Sequence, residues 1–369
     1  MTLTLTELEP FLVQKKSLLD VRAPVEFKAG HIPGAINLPI LNDEERAQVG
    51  TIYKKKGQEA AIQLGEKLVS GSVKDERVAG WKDFFQKHPE ALVYCFRGGL
   101  RSRTAQTWLQ EAGIQIPRLE GGYKAARQMF LGTIQQTVEQ CSLLLISGPT
   151  GGGKSHLLRA ANYFLPAVDL EFMARHRGSA FGFESEPQPP QVQFENLLAQ
   201  DFLRLRECGL AEGSAFLKKP LLLEDESRLI GQNVIPESLF EKMRASPIVW
   251  VDEPLEKRVE NIFSDYISNT AIGQGSEPHA LALFQRYEKS LQSIQRRLGG
   301  LRTQELMSDL QLAKTHYLEK KDLEPNHTWI EKLLVYYYDP LYLGSLEKRN
   351  PPVVFRGSSE EVLSFFRSL

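Results

Sequence analysis

The sequence is poor in cysteine and has no long apolar run. Its three cysteines, Cys95, Cys141 and Cys208, lie far apart without C-x-x-C spacing, which argues against a disulfide framework and a zinc site. Apolar runs such as Leu143 to Ile146 are far too short to cross a bilayer, and the polar N-terminus lacks the apolar core of a secretory signal. We therefore expect a cytoplasmic protein with no membrane association.

The sequence also lacks an excess of charge of either sign, with 45 basic and 46 acidic residues. This balance argues against general attraction to nucleic acid, and no DNA partner is expected. Local basic clusters could still build a patch on one face, although a solvated helix face is the more common explanation. The clusters are Lys54 to Lys56, Arg101 with Arg103, Arg204 with Arg206, and the stretch Arg286, Lys289, Arg296, Arg297 and Arg302.

The order of apolar and helical segments predicts two α/β domains, residues 1–132 and 133–369. From Leu18 to about Phe130 short apolar strands alternate with helical stretches, which is the βα pattern of a parallel sheet. The run Lys124 to Gln140 is compatible with a helix and predicts a stiff connection between the domains.

The second domain is predicted to be a five-stranded parallel α/β sheet with added helices. The predicted strands are Leu143 to Ile146, Ala167 to Leu170, Pro220 to Glu224, Pro247 to Val251 and Leu333 to Tyr338. The charged segment Glu277 to Lys321 predicts two helices that meet near Gly299 and Gly300.

A single thiol, Cys95, lies in a loop between a predicted strand, Ala91 to Tyr94, and a predicted helix, Arg101 to Glu111. The start of a helix favours negative charge at sulfur. We predict that Cys95 is catalytic and that the arginines and backbone amides of its loop hold a thiolate, a persulfide or a tetrahedral oxyanion. The predicted cradle residues are Arg97, Gly98, Gly99 and Arg101.

The same loop also satisfies the C-x5-R-[ST] pattern of thiol phosphatases, so a phosphatase is an open alternative. The loop itself contains no acidic residue that could act as general acid, although Asp20 or Glu26 could approach it in space. His31 could be a catalytic base, but its motif position favours a structural turn residue.

A second loop, Gly148 to Ser155, fits the phosphate-loop pattern G-x-x-x-x-G-K-[ST] between a strand and a helix. Lys154 is expected to reach terminal phosphate oxygens and Ser155 to contact a metal ion, which could be Mg²⁺. The predicted phosphate-binding residues are Gly148, Gly151, Gly152, Gly153, Lys154 and Ser155. The acidic partners predicted for a metal are Asp225 and Glu226, with Asp252 as the rival.

A polar cluster after the next predicted strand is unusual for a plain nucleotide kinase. It could bind a diphosphate or an RNA backbone, whereas the alternative is a charged surface loop. Its members are Asp169, Arg175, His176, Arg177 and Ser179.

Three motifs of the first domain resemble those of rhodanese domains. They are Leu18 to Arg22, Gly30 to Pro39 and Leu119 to Arg127. A rhodanese-like domain, followed by a phosphate loop, the His176 to Ser179 loop and Glu224 to Arg228, resembles the tRNA 2-selenouridine synthase family along nearly the whole chain. The implied fold is a rhodanese-like domain followed by a P-loop NTPase-like α/β domain.

The family resemblance implies a bacterial tRNA-modifying transferase that acts on wobble 2-thiouridine. It implies that geranyl diphosphate first geranylates the sulfur and that selenium from selenophosphate then replaces the S-geranyl group. The phosphate loop would grip the diphosphate leaving group without consuming ATP, and Cys95 would receive or position selenium as a perselenide. Phe172, Phe181 and Phe183 could hold a prenyl chain, although core packing explains most such residues more simply.

The residues alone do not distinguish selenium from sulfur, nor do they decide whether the phosphate loop takes ATP or GTP. A rhodanese sulfurtransferase fused to an ATP-hydrolysing P-loop domain is therefore the main alternative.

Overall fold

The computed structural model describes residues 2–210 and 219–369, and the side chain of Cys208 lies outside the described residues. Within these residues no helix is both long and apolar enough to cross a membrane. The first elements are β1 (Thr2–Leu3), α1 (Leu5–Val13), β2 (Leu18–Asp20), α2 (Pro24–Ala29), β3 (Ala35–Asn37), α3 (Asp43–Leu68), α4 (Ser72–Lys87), β4 (Leu92–Tyr94), α5 (Leu100–Glu111), β5 (Arg118–Leu119) and α6 (Gly122–Gln140).

The remaining elements form a second parallel sheet, a two-stranded antiparallel sheet and a large helical layer. The elements are β6 (Leu143–Ser147), α7 (Lys154–Ala161), α8 (Leu170–Ala174), α9 (Gln191–Leu210), β7 (Leu221–Glu224), β8 (Leu229–Ile230), β9 (Asn233–Val234), α10 (Glu237–Ala245), β10 (Ile248–Val251), α11 (Leu255–Phe263), α12 (Glu277–Leu298), α13 (Gly300–Lys320), α14 (Asn326–Leu333), α15 (Asp339–Arg349), β11 (Val353–Gly357) and α16 (Ser359–Ser368). Two π-helical segments, Ser264–Ser268 and Leu334–Tyr338, continue α11 and α14.

The chain forms two compact units. The first comprises the described residues of Met1–Glu139 and Pro189–Ser214, and the second those of Gln140–Gln188 and Ala215–Leu369. The sequence-based division at residues 132 and 133 falls inside α6, because the helix-compatible run continues through it.

The first unit is built on a five-stranded parallel sheet in the order β1-β5-β4-β2-β3. Strands β2 and β4 are buried throughout, as expected of central strands covered on both faces. Trp81, Phe84 and Phe85 of α4 pack with Leu19 and Val93 of these strands to form the core. The predicted βα organisation is therefore confirmed.

Helix α9 packs with the first unit although it comes after the phosphate loop in the chain. Its Asn196 amide donates to the His31 carbonyl at 2.8 Å and to the Tyr123 hydroxyl at 3.1 Å. Arg127 of α6 donates to Asn196 at 2.8 Å and pairs with Glu195. These long-range contacts tie α9 to the rhodanese-like motifs.

The second unit contains a four-stranded parallel sheet in the order β11-β10-β6-β7. The expectation of five strands is wrong in two places. Ala167 makes only an isolated bridge to Leu222, and Leu333 to Tyr338 is helical. In the latter, Trp329, Ile330, Leu333, Leu334 and Tyr337 recur at helical spacing and are buried in a helical core, so tertiary packing overrides the strand-like composition.

The helical layer of the second unit confirms the predicted pair of helices. Helix α12 ends at Leu298 and α13 begins at Gly300, as the Gly299-Gly300 pair indicates. Strand β11 was not predicted. It follows Pro351 and Pro352, and its side chains are largely exposed, so no apolar pattern distinguishes it as a strand.

Candidate active site

Cys95 lies in the loop between β4 and α5, where the sequence predicts it. Its side chain is only 3% exposed, and its thiol donates a hydrogen bond to the Ser102 hydroxyl at 3.2 Å. Ser102 belongs to the first turn of α5 and is also buried. The sulfur is therefore held beside the N-terminal end of a helix, where a negative charge is favoured.

The backbone of the Cys95 loop is closed by neighbouring segments. Gly98 has a φ of +62°, and a β-carbon there would lie 2.7 Å from the Leu119 carbonyl oxygen, so only glycine fits. The Tyr123 amide donates to the Cys95 carbonyl at 2.9 Å, and the Lys124 amide donates to that of Phe96 at 2.8 Å. The start of α6 thus fixes the loop from behind.

The arginines of the Cys95 loop have different surroundings. Arg97 is exposed, whereas Arg101 donates to the two carboxylate oxygens of Glu26 at 2.5 and 3.1 Å. Burial opposes ionisation of Glu26, but the hydrogen bonds and charge of Arg101 outweigh it and lower the pKa of Glu26. Glu26 is therefore poorly suited to act as a general acid.

Neither of the other candidate acid–base groups faces the sulfur as a free group. Asp20 forms a buried bidentate pair with Arg22. His31 stacks on Phe27 at 3.8 Å between ring centroids and places Nδ1 3.1 Å from the Phe27 carbonyl, while burial lowers its pKa. These contacts are those of structural residues.

The phosphate loop joins β6 to α7. The Lys154 ammonium group donates to the carbonyls of Gly148 and Pro149 at 2.8 and 3.3 Å. The Gly148 amide donates to the Tyr342 hydroxyl at 2.8 Å.

Helix α11 holds the outer side of this loop. Arg258 donates to the Thr150 carbonyl at 2.9 Å, and Asn261 donates to the Gly151 carbonyl at 2.8 Å. Arg258 is buried and is held in turn by Asp339. With its carbonyls engaged by side chains, the loop is pre-organised to offer its remaining amides to an anion.

Three carboxylates meet beside the phosphate loop, and the term carboxylate triad denotes Glu171, Glu224 and Glu226 below. One oxygen from each lies within 4.8 Å of the others, and Ser155 donates to Glu171 at 3.2 Å. Burial first, and then mutual repulsion, raise the pKa of each to about 8. Oε1 of Glu224 is buried without a hydrogen-bond partner among the described residues.

The triad overlaps only partly with the predicted metal partners. Glu226 belongs to it, but Asp225 forms a buried bidentate pair with Arg349 and accepts from Ser147 at 2.5 Å. The rival, Asp252, pairs with Arg356. Glu171 and Glu224 are not among the residues predicted from the sequence, although Glu224 is the last residue of β7, a position at which a ligand is expected.

Only part of the polar cluster of residues 169–179 lines the cavity beside the triad. Arg177 and Ser179 line the cavity over the phosphate loop, and Gly178 lies so close to the triad that a β-carbon would be 2.5 Å from a Glu226 oxygen. Asp169 instead caps α8 and pairs with Arg159. Arg175 pairs with Glu186, and burial lowers the pKa of His176.

The cavity measures about 520 Å³. The phosphate loop forms one side, and the triad, Arg177, Arg244 and Tyr342 contribute to the others. A small recess of about 20 Å³ shares Thr150, Ser179, Ile262, Tyr266 and Tyr338 with it. The rest of the recess is apolar: Phe181, Trp329, Ile330, Leu333 and Leu334.

Comparison with known families covers both units. Residues 4–128 match the rhodanese-like domain, and residues 141–369 match the family model described as the tRNA 2-selenouridine synthase AAA domain. The chain belongs to the tRNA 2-selenouridine synthase family. The predicted fold, a rhodanese-like domain followed by a P-loop-type α/β domain, is confirmed with it.

Curated relatives of the tRNA 2-selenouridine synthase family match over nearly the whole chain. The protein of that name from Bdellovibrio bacteriovorus is 52% identical, covering 98% of this chain and 97% of the relative. The protein from Nitrosomonas eutropha is 46% identical, covering 98% of this chain and 96% of the relative. The protein from Pseudomonas fluorescens is 42% identical, covering 100% of this chain and 99% of the relative.

Proposed function

We propose that the protein converts wobble 2-thiouridine in tRNA to 2-selenouridine in two steps, S-geranylation with geranyl diphosphate and selenation from selenophosphate. Membership of the tRNA 2-selenouridine synthase family makes the chain a tRNA-modifying enzyme. The observation that carries the two-step proposal is an apolar recess that shares five lining residues with the cavity over the phosphate loop, because an alkyl diphosphate needs both a polar and an apolar site.

In the first step the thiocarbonyl sulfur attacks C1 of the geranyl group, a carbon–sulfur bond forms, and the C1–oxygen bond breaks to release diphosphate. The chief requirement is stabilisation of the departing negative charge. Lys154 and the amides of the phosphate loop supply positive charge and hydrogen-bond donors, and the Arg177 guanidinium lines the same cavity. Phosphate-loop chemistry is thereby used without hydrolysis of a nucleotide.

The apolar recess is the proposed site of the prenyl chain. Its present volume is only about 20 Å³, against about 520 Å³ for the cavity, which is too little for a prenyl chain. The prenyl chain must therefore enter by displacing side chains such as those of Tyr266 and Tyr338, which line both the recess and the cavity. Phe181 is buried in the helical core and borders the recess, whereas Phe172 is 71% exposed.

The carboxylate triad and Ser155 fit a divalent cation such as Mg²⁺. Three carboxylates in mutual reach, one of them with a buried oxygen that has no partner among the described residues, form the oxygen-rich donor set that this ion prefers. When bound, Mg²⁺ would neutralise the triad and polarise diphosphate oxygens. Glu171, Glu224, Glu226 and Ser155 are the residues proposed to hold it.

In the second step selenium of selenophosphate bonds to C2 of the base and the C2–sulfur bond breaks, so that geranyl thiol leaves. Water must then attack phosphorus to break the phosphorus–selenium bond and release phosphate. We place selenophosphate in the Cys95 cradle, where Arg97, Arg101 and the start of α5 favour an anion. Cys95, the buried first residue of this loop, would position the selenium atom.

The test is mass spectrometry of nucleosides from a 2-thiouridine anticodon stem-loop incubated with the protein and each donor, separately and together. We expect S-geranyl-2-thiouridine with geranyl diphosphate alone and 2-selenouridine only with both donors. Selenation without geranyl diphosphate, or no change of the RNA with both, would contradict the proposal.

The second candidate is a sulfurtransferase coupled to ATP hydrolysis. Ser155 beside the carboxylate triad favours it, since a metal–nucleotide complex needs the same groups. Steady ATP hydrolysis that depends on Lys154, with unchanged RNA, would decide for this candidate. A phosphatase is less well supported, because Glu26, which pairs with Arg101 of the Cys95 loop, has a lowered pKa and is a poor general acid.

A further inference from the structure

One face of helix α12 carries cations that have no acidic partner among residues 2–210 and 219–369. Arg286, Lys289, Arg296 and Arg297 are all exposed, and Arg302 at the start of α13 is exposed as well. No ion pair within the described residues involves any of the five. We call these five residues the basic stripe.

Helical geometry places the stripe on the outer ridge of α12. At about 100° per residue, positions 286, 289, 296 and 297 fall within about 100° of arc. The buried residues Phe284, Leu291 and Leu298 centre on the opposite side, where they pack into the helical core. The stripe is therefore directed to solvent over some 11 residues, or about 16 Å of helix.

Cations elsewhere in the same helical layer behave differently. Lys314 pairs with Glu288, Lys321 with Glu277, and Lys332 with both Glu305 and Asp309. An ordinary solvated helix face mixes the two signs of charge in this way. The basic stripe concentrates one sign in a chain whose formal net charge is only -1.

Two members of the stripe are supported by aromatic rings. The Arg286 guanidinium lies 3.6 Å from the centroid of Phe183, and that of Arg302 lies 4.8 Å from Tyr336. Stacking reduces the conformational freedom that each side chain loses when it binds a phosphate. Their guanidinium groups are thus held in place while they form no ion pair with the described residues.

We infer that the basic stripe is a docking surface for the phosphate backbone of the tRNA substrate, an inference that rests on the proposed function. An RNA backbone is a polyanion that such a row of arginines and lysines complements in charge. A membrane surface fits less well, because the apolar face of α12 is buried and cannot enter a bilayer.

The test compares two triple variants in tRNA binding at several KCl concentrations. Lys289→Gln with Arg296→Gln and Arg297→Gln removes three stripe cations. Lys87→Gln with Lys321→Gln and Arg356→Gln removes three exposed cations that are ion-paired. We expect the stripe variant to bind at least about tenfold more weakly and its salt slope to fall by about 2, whereas the matched control changes little.

A conservative variant separates charge from packing. Arg296→Lys with Arg297→Lys keeps the charges and should bind tRNA within about twofold of the original, since counterion release depends on the number of phosphates that are neutralised. An unchanged affinity and salt slope in the triple glutamine variant would overturn the inference. If the triple glutamine variant lost binding to anionic vesicles but not to tRNA, the inference would also be overturned.

Measurement of 2-selenouridine in the same protein preparations distinguishes the two proposals. If the original protein forms no 2-selenouridine but its tRNA affinity depends on the stripe, the docking surface stands and the proposed reaction fails. If 2-selenouridine forms and stripe removal changes nothing, the reaction stands and the docking surface fails.

Discussion

The Cys95 loop and the phosphate loop both follow a buried strand and precede a helix, yet they are built for anions of different size. The start of α6 hydrogen-bonds to the backbone of the Cys95 loop, and Cys95 is only 3% exposed. The phosphate loop borders a cavity of about 520 Å³ that also contains the carboxylate triad. The first suits a single atom or small oxyanion, and the second suits a larger ligand with a cation.

The two loops also differ in the charged groups that surround them. At the Cys95 loop one carboxylate, Glu26, offsets Arg101, and the loop carries Arg97 besides. At the phosphate loop the three carboxyl groups of the carboxylate triad line the same cavity as Lys154, and their pKa values are raised to about 8. The comparison teaches that a strand–loop–helix turn sets where an anion binds, while the residues brought to it from elsewhere set which anion.

The largest expected effect separates the loops by step. Cys95→Ala should reduce selenation at least about 1000-fold and leave geranylation within about twofold, because only the second step uses the thiol loop. Nucleoside mass spectrometry with each donor measures both. Cys141→Ala, which removes a buried thiol of the second unit, is the control. Persistent 2-selenouridine formation by Cys95→Ala would remove the proposed role of this residue.

The reciprocal variant is Lys154→Ala. It should reduce geranylation about 100- to 1000-fold, since it deletes a cation that stabilises the leaving diphosphate. Selenation of RNA that has been geranylated beforehand should continue. Lys321→Ala, whose ion pair lies on the exposed surface, serves as control. Equal loss of both steps in Lys154→Ala would erase the functional distinction between the loops.

The buried ion pair beside the phosphate loop should matter more for stability than the pair at the Cys95 loop. Asp225 and Arg349 are each 9% exposed, so Asp225→Ala, which leaves Arg349 unpaired, should cost about 3–5 kcal/mol. Glu26 and Arg101 are 15% and 25% exposed, and Glu26→Gln should cost only about 1 kcal/mol. Urea unfolding measures both, and a larger loss for Glu26→Gln would reverse the comparison.

The smallest expected effect is a pH dependence that belongs to the phosphate loop alone. The triad pKa values are raised from 4.5 to about 8, so the folded state keeps protons that the unfolded state releases. Their contribution to stability is full below about pH 4.5 and is lost as pH rises through about 8. The melting temperature measured in EDTA should therefore fall from pH 6 to pH 9, and less so in Glu224→Gln.

Magnesium provides the matching control for this pH effect. At pH 9 MgCl₂ should raise the melting temperature of the original protein and raise it less in Glu224→Gln, because the cation replaces the lost protons. Equal responses of the two proteins would argue against the triad as the cation site.

The local parts of both loops could be predicted from the sequence. Strand, loop and helix are contiguous around Cys95 and around Lys154, so composition and spacing suffice. Glu171 could not be predicted as a neighbour of Glu226, because α8 and the end of β7 meet only in the folded unit. The role of Asp225 was hidden for the same reason, since Arg349 comes from α15.

The errors in the fold also arise from tertiary context. The aromatic run Leu333 to Tyr338 has the composition of a strand, and only the core formed with α12 and α13 makes it helical. Strand β11 is the opposite case, because its composition does not indicate a strand and its pairing with β10 makes it one.

The placement of α9 has a consequence for the order in which the protein is made. The first unit lacks this helix until residue 210 has been synthesised, although its five strands are complete at Leu119. The ribosome therefore finishes the phosphate loop before it supplies Asn196 and the buried Phe194, Leu198 and Phe202 of α9. Until then the nascent first unit exposes the apolar surface that α9 covers. Its folding can therefore be completed only after α9 has been synthesised.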